Sequence, residues 1–381
     1  MNSREIFERL ISFQTVSRDS NMALIEFVRD FLASRDIASQ LFIDAKQQKA
    51  NLFATVGPRD TGGVLLSGHT DVVPVDGQNW NTNPFRVTER AGHLYARGSA
   101  DMKGFLACAL AAAGRATGKS LRVPLHIAFS YDEEVGCLGV RSLLDSMQEW
   151  VHRPRFCIVG EPTMLKIAIG HKGKTALRVT CRGHAAHSAF PAKGVNSIYL
   201  ASEFVGRVRQ VQHGIEQDGA RDAAYEVPYT TLHVGVIRGG TAINIVPERC
   251  ELDLEIRNLP TDDPTAIVTQ LRAEGDAIAL AARRPGCTSE FGLEVMNEYP
   301  GLETLPDADV VALTAALTGQ RDTTKVAFGS EAGLFSSRLG IPTVVCGPGS
   351  IDQAHKPDEF VAVDQLLRCD AMMDSLLERL A

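Results

Sequence analysis

Several kinds of protein are excluded by what the chain does not contain. Its eight cysteines, at 108, 137, 157, 181, 250, 287, 346 and 369, include no Cys-x-x-Cys pair, and most lie inside apolar runs such as Phe156-Cys157-Ile158-Val159. Scattered apolar cysteines read as reduced core residues of a cytosolic protein, which points to a cytoplasmic location and away from thiolate metal sites. No long apolar run is present. The least polar stretch, 105–113, is far short of the ~20 residues a membrane span needs. The start, Met1-Asn2-Ser3-Arg4-Glu5, leads into an amphipathic helix and not into the basic-then-apolar pattern of a signal peptide. Basic charge is not in excess either. With 39 Lys+Arg against 46 Asp+Glu and a formal net charge of −7, the interspersed charges argue against nucleic acid or a membrane surface as partner. The strand–Gly-x-Gly-x-x-Gly–helix fingerprint of a dinucleotide site is absent, since Gly347-Pro348-Gly349 is followed by no helix-forming stretch. Internal repeats, low-complexity segments and long linkers are absent as well.

What is there reads as an ordinary soluble globular chain. It has 381 residues, 44% hydrophobic and 22% charged, a length that suggests roughly two domains of about 150 residues or more. Apolar residues at helical spacing predict helices over 3–13 and 22–34, and short apolar strands follow at 64–66, 125–129 and 156–159. The Ala- and Leu-rich segment 101–115 predicts a buried helix. This alternation predicts an α/β layer, a mostly parallel sheet with helices on both faces. Near Gly173 the texture changes: strand 175–181, helix 197–211, strands 230–238 and 248–257, helix 264–284. That order predicts a smaller α+β domain inserted over 173–286, between two parts, 1–172 and 287–381, of the first. The α/β texture then resumes with helix 307–318, strand 343–346 and helix 363–380.

The stretch YDEEVG, 131–136, sets Asp132, Glu133 and Glu134 side by side directly after an apolar strand. Alone, such a triplet reads as a solvated turn. In open α/β sheets, however, functional groups gather beyond the carboxyl ends of strands, and other predicted strands end in the same way. Strand 64–66 runs into Ser67-Gly68-His69-Thr70-Asp71, strand 156–159 into Gly160-Glu161, strand 343–346 into a loop holding His355, and helix 101–115 opens with Asp101. Two imidazoles and three carboxylates without a thiolate suit zinc or a similar divalent ion, and a pair of ions better than one. His69, Asp101, Glu134, Glu161 and His355 supply that set with nothing spare. Glu134 can then bind metal while Glu133 stays free to take a proton from water, and Asp71 can accept the other N–H of His69.

These motifs resemble those of the di-zinc amidohydrolase and carboxypeptidase family of aminoacylases, glutamate carboxypeptidase, succinyl-diaminopimelate desuccinylase and acetylornithine deacetylase. They are SGHTDVVP (67–74), RGSADMKG (97–104), DEEVG (132–136), GEPT (160–163) and AHKPDE (354–359), in the family's order along essentially the whole chain. The resemblance implies a zinc-peptidase-like catalytic domain with a lid and dimerisation domain inserted in it, and a homodimer formed through that lid. It implies two divalent ions, zinc or cobalt, with Asp101 bridging, His69 and Glu161 completing one site and Glu134 and His355 the other. Glu133 would be the general base. In GHAAHSAFP (183–191), His187 aligns with the histidine that reaches the partner subunit's site to stabilise an oxyanion, and His184 is the structural one of the two. The family's substrates carry a carboxylate next to the scissile amide. Candidates to hold it are Arg257, Asn244, Lys172, Gly329 and the Gly347-Pro348-Gly349 backbone, although an arginine at a strand end is ordinarily a surface ion pair. Segments 329–333 and 347–359 look most like acetylornithine deacetylases, which implies an N-acyl amino acid as substrate. Another N-acyl-amino-acid deacylase such as the desuccinylase, or a metallo-dipeptidase or carboxypeptidase, is the alternative. Glu331 lies in a loop where it could pair with a cationic substrate side chain or simply be a surface acid. A binding relative without turnover is the alternative of another class, and the intact Glu133 with a full ligand set argues against it.

Overall fold

Val64–His69, Leu125–Ser130, Phe156–Pro162 and Thr343–Gly347 are short apolar runs bounded by turns, and almost every residue in them is buried in the computed structural model. The structure describes residues 1–46 and 48–381. Burial on both faces is what parallel strands require, and these four pair parallel with one another, Leu125–Ser130 beside Val64–His69, then Phe156–Pro162, then Thr343–Gly347. Among the described residues they form the centre of a nine-stranded sheet. Antiparallel strands flank them: Lys49–Val56 and Ser39–Asp44 on one side, Ile167–His171 and Leu302–Glu303 on the other. Thr323–Val326 adds a parallel pairing to Ile167–His171.

The helix Gly104–Ala116 is apolar all round and accordingly almost wholly buried. It is flanked by Ser3–Ile11, opened by a capping box between Asn2 and Glu5, and by the C-terminal Val363–Leu380. Its approach to the sheet depends on two glycines. A Cβ on Gly160 would fall inside the Phe105 ring, at 1.9–2.3 Å, and one on Gly68 would meet Met102 and Leu106 at 2.5–3.1 Å. Because side chains alternate along a strand, Gly68 and Gly160 facing this helix turn His69 and Glu161 to the opposite face, which Ala332–Leu339 covers.

The chain divides into two units, Met1–His171 with Leu302–Val326 and Ser330–Ala381, and Lys172–Gly301 with Ala327–Gly329. The second contains a four-stranded antiparallel sheet in the order Thr231–Gly239, Arg249–Asn258, Gly173–Arg182, Glu290–Tyr299. Leu177, Val179, Leu252, Leu254 and Ile256 alternate toward one face and form a core with helices Ser197–Asp218 and Pro264–Ala281. The boundary differs from the 173–286 expected from sequence, because Glu290–Tyr299 pairs with Gly173–Arg182 and so belongs to this sheet. Three of that strand's 10 residues are glutamates (Glu290, Glu294, Glu298) and most of it is exposed, so its alternation is too faint to read. Ser39–Asp44, Lys49–Val56 and Ile167–His171 were likewise not anticipated. No helix among the described residues is long and apolar enough to cross a membrane.

Candidate metal centre

The central strands carry the titratable residues at their carboxyl edge, where open α/β sheets hold their sites. His69 ends Val64–His69, Glu161 lies one residue from the end of Phe156–Pro162, and the acidic turn follows Leu125–Ser130. Asp101 comes from the distorted turn Ser99–Lys103, where Asp101 and Met102 leave helical φ/ψ. The helix expected to open at Asp101 begins only at Gly104. The Glu359 carboxylate binds the backbone of this turn. One of its oxygens accepts the N–H groups of Ala100 (2.9 Å) and Asp101 (3.1 Å), and the other accepts the N–H of Gly98 (3.1 Å) and Nη1 of Arg97 (2.7 Å). Arg97 and Glu359 are both 1% exposed, so the pair forms a buried clamp on the Asp101 backbone.

The five predicted ligands come together in two groups that share Asp101. His69 Nε2 lies 3.1 Å from Asp101 Oδ1 and 3.7 Å from Glu161 Oε1. His355 Nε2 lies 3.3 Å from Asp101 Oδ2 and 3.0 Å from Glu134 Oε2. Each group thus faces a different oxygen of one carboxylate. His69 Nδ1 is 2.9 Å from the Asp71 main-chain carbonyl and 3.5 Å from the Asp71 carboxylate. A carbonyl only accepts, so Nδ1 carries a proton and Nε2 is the nitrogen turned toward the Asp101 and Glu161 carboxylates. The carboxylate expected to perform that task is mainly engaged elsewhere. It accepts from Ser17 Oγ (2.7 Å) and from the N–H groups of Glu133 (3.1 Å) and Glu134 (3.3 Å). Asp71 therefore ties the histidine strand to the acidic turn.

Within that turn the three acids divide. Asp132 makes a buried ion pair with Lys49 at 2.6 Å. Glu134 faces His355. The Glu133 carboxylate comes within 4.8 Å of ligating atoms of His69 and Glu161, and its Oε1 accepts from the Cys137 thiol at 3.4 Å. Crowding and burial raise these acids. Loss of water pushes Glu134 up to about 7, with Asp101 adding to it, and Glu161 up to about 8, with Asp101 and Glu134 adding. Burial likewise holds Glu133 well above its ordinary value, helped by Glu161, Glu134 and Asp101. Hydrogen bonding to Asp101 and Glu134 holds His355 up at about 10. Burial works against a charged His69, yet Glu161, Asp101 and Asp71 keep it well above its usual range. Oε1 of Glu161 is buried without a hydrogen-bond partner. Carboxylates packed this closely around two imidazole nitrogens, with one oxygen lacking a hydrogen bond, form a donor set that fits divalent cations, which would take the place of the imidazole protons on binding.

Most of the remaining sequence candidates lie in the second unit. His187 is exposed on the short strand Ala186–His187, which pairs with Ile245–Val246 beside Asn244. Its Nδ1 accepts the Ala189 N–H at 3.1 Å, which leaves the ring proton of the neutral tautomer on Nε2. His184 Nδ1 accepts the Thr288 N–H. Asn244 is exposed, and its carbonyl accepts the Ser188 N–H. Arg257 is bound to Glu255 and to the Tyr299 hydroxyl at 3.2 Å. Gly329 lies against that tyrosine ring, where a Cβ would meet it at 2.2 Å. Lys172 is buried and donates to the Tyr229 carbonyl, and burial together with nearby Arg257 lowers its pKa. Glu331, in the first unit, is not a surface acid. It is 1% exposed, and among the described residues neither oxygen has a partner at hydrogen-bond geometry. Burial pushes it up to about 7.

Sequence reasoning gave no role to Arg97, Glu359, Cys137 or Lys49. Arg97 and Glu359 lie in recognisable motifs, but nothing in their spacing says that positions 97 and 359 meet.

The chain is similar to known proteins over most of its length. Residues 65–379 match the model of peptidase family M20/M25/M40. An acetylornithine deacetylase from Pasteurella multocida is 36% identical over 370 residues, 94% of this chain and 93% of its own. Among solved structures, an M20-family metallo-carboxypeptidase from Sulfolobus solfataricus superimposes with a TM-score of 0.77 at 18% identity, covering 99% of both chains. A Bacillus subtilis protein described as a dinuclear metal-binding peptidase of the M20 family gives 0.66 at 13%, covering 99% of this chain and 97% of its own. With the family model matched from Leu65 almost to the C-terminus, and a relative at that identity across nearly the whole of both chains, the chain is a member of peptidase family M20/M25/M40.

Proposed function

We propose that this metallohydrolase cleaves the amide bond of N-acyl amino acids, and specifically converts N2-acetylornithine to ornithine and acetate. The supporting observation is the split arrangement around Asp101: two imidazoles and three carboxylates in two groups, with a further carboxylate, Glu133, within 4.8 Å of the His69 and Glu161 ligating atoms. The choice of substrate rests on the 36% identity to acetylornithine deacetylase. His69, Asp101 and Glu161 would hold one divalent ion and His355, Asp101 and Glu134 the other, with zinc the metal best suited to imidazole and carboxylate without thiolate. When bound, such ions acidify water and polarise an amide carbonyl.

The chain's own residues supply the rest. Glu133 takes a proton from the attacking water and returns it to the leaving nitrogen, a task suited to a carboxylate whose pKa burial has raised. Asp71 holds the Glu133–Glu134 backbone so that one glutamate is a ligand and its neighbour a base. His187, with its proton on Nε2, donates to the oxyanion of the tetrahedral intermediate in the partner subunit of a homodimer. Arg257 and Lys172, cations close enough to depress the lysine's pKa, hold the substrate carboxylate with Asn244 and Gly329. These second-unit roles rest on the resemblance and on each residue's chemistry within its own unit.

The test is a panel of N-acyl amino acids and dipeptides, run on zinc- and cobalt-loaded protein beside chelated protein. About two ions per chain, loss of turnover on chelation and a preference for N2-acetylornithine are expected. Active protein without bound metal would overturn the reading, and preference for a succinylated substrate or a dipeptide would overturn its substrate half.

A further inference from the structure

The turn that carries the acids also sets a thiol against the base. Cys137 is fully buried, and its Sγ lies 3.4 Å from Oε1 of Glu133. Burial, reinforced by Glu133 and Glu331, holds this thiol well above its ordinary pKa. It therefore stays S–H and can act as the donor to the carboxylate oxygen. The backbone at Cys137 is left-handed, φ 54°, a conformation that Gly, Asn or Asp adopts with less strain than Cys. The Cys137 N–H also returns to the carbonyl of Glu133 at 2.9 Å, so thiol and carboxylate project from one closed turn. No other hydrogen bond to the Glu133 carboxylate occurs among the described residues.

We propose that Cys137 is a positioning residue for hydrolysis, its S–H holding one oxygen of Glu133 so that the other faces the reacting centre. This rests on the reading of Glu133 as the base. A carboxylate free to rotate spends part of its time with neither oxygen aligned for proton transfer, and alignment matters for a general base. The Cys137 contact restricts that rotation without occupying the second oxygen. A thiol is a weak donor, so the effect is modest, roughly three- to tenfold in kcat, the range that one net hydrogen bond supplies.

The experiment compares Cys137→Ala, Cys137→Ser and Glu133→Gln in the metal-loaded full-length enzyme, with kcat, KM, metal content and thermal midpoint measured for each. Alanine removes the donor, and serine keeps one of similar size. Cys137→Ala should lose roughly three- to tenfold in kcat with KM and metal content unchanged, and Cys137→Ser should recover most of that loss. An alanine variant with full kcat would overturn the proposal. So would a serine variant as impaired as alanine, or a loss that tracks KM, metal or folding, since each marks a packing role. Glu133→Gln distinguishes the two failures. If it abolishes turnover while Cys137→Ala changes nothing, only the positioning role falls; if it leaves turnover intact, the base assignment falls with it.

Discussion

Glu133 and Glu134 are adjacent in sequence, and replacing each by glutamine should give opposite phenotypes. Among the described residues the Glu133 side chain makes one hydrogen bond, the Cys137 contact at 3.4 Å, while its main-chain N–H is bound by Asp71 whatever the side chain. Glu133→Gln should therefore keep the fold, both metals and near-normal substrate binding. What it loses is proton transfer, which general acid–base groups supply at ~10²–10⁴-fold, about 2.7–5.4 kcal/mol at 1.36 per decade. Because one carboxylate both activates the water and protonates the leaving nitrogen, the upper end applies. Glu134 by contrast lies 3.0 Å from His355 and shares Asp101 with it, so Glu134→Gln removes a charged ligand from the second group. Its metal stoichiometry should fall toward one ion per chain. Elemental analysis of the two purified variants, followed by steady-state kinetics, separates these outcomes. Equal metal loss in both variants, or a Glu133→Gln enzyme within tenfold of wild type, would refute the assignment.

Asp101→Asn should reduce metal content more than any other ligand change, because both groups use this carboxylate; elemental analysis after dialysis would show it, and a variant that keeps two ions would count against the shared role. Glu359→Gln touches no ligand atom, yet it leaves the buried Arg97 without its carboxylate, with only the neutral acceptors of Gln78 and Lys356 remaining, a loss of about 3–5 kcal/mol. Denaturant unfolding should show that loss together with weaker metal retention, and an unchanged midpoint would mean that the clamp contributes nothing. His187→Ala and Glu133→Gln chains should each be nearly inactive as homodimers, while mixed dimers should regain turnover in at most half of their sites. No recovery, with mixed dimers shown to form, would remove the in-trans role of His187.

Much of the architecture was legible because the central strands are apolar on both faces and bounded by turns. Val363–Leu380 was read to the residue, since its buried positions recur at helical spacing and little precedes it to blur the start. Glu290–Tyr299 was missed because, with one face solvated and a register shift after Val295, it offers glutamates where alternation would show. Ser39–Asp44 and Lys49–Val56 were missed for a related reason. The first is an edge strand with no fully buried residue, and the second opens with a buried lysine whose partner, Asp132, is far away in sequence. Local patterns report burial, and they fail where burial depends on a distant partner.

The same distinction divides the candidate centre. His69, Glu134, Glu161 and His355 could be picked out because each combines a ligating residue type with a place just beyond or at the end of an apolar strand, two facts visible in a few consecutive residues. The groups that hold them in place carry no such local mark. Glu359 reaches back to Asp101, Ser17 and Asp71 grip the acidic turn, and Lys49 neutralises Asp132, all across long stretches of sequence. Asp71 shows how far this matters. Sequence proximity to His69 suggested that its carboxylate orients the imidazole, but the main-chain carbonyl is the nearer acceptor, at 2.9 Å against 3.5 Å. The carboxylate, besides facing the imidazole, fixes the backbone amides of Glu133 and Glu134. Asp71→Asn would put an amide where three donors now converge on two oxygens, keeping the carbonyl that orients His69 while loosening the turn that sets Glu133 apart from Glu134. Its defect should accordingly resemble that of Glu133→Gln in kcat more than that of a lost histidine ligand in metal content.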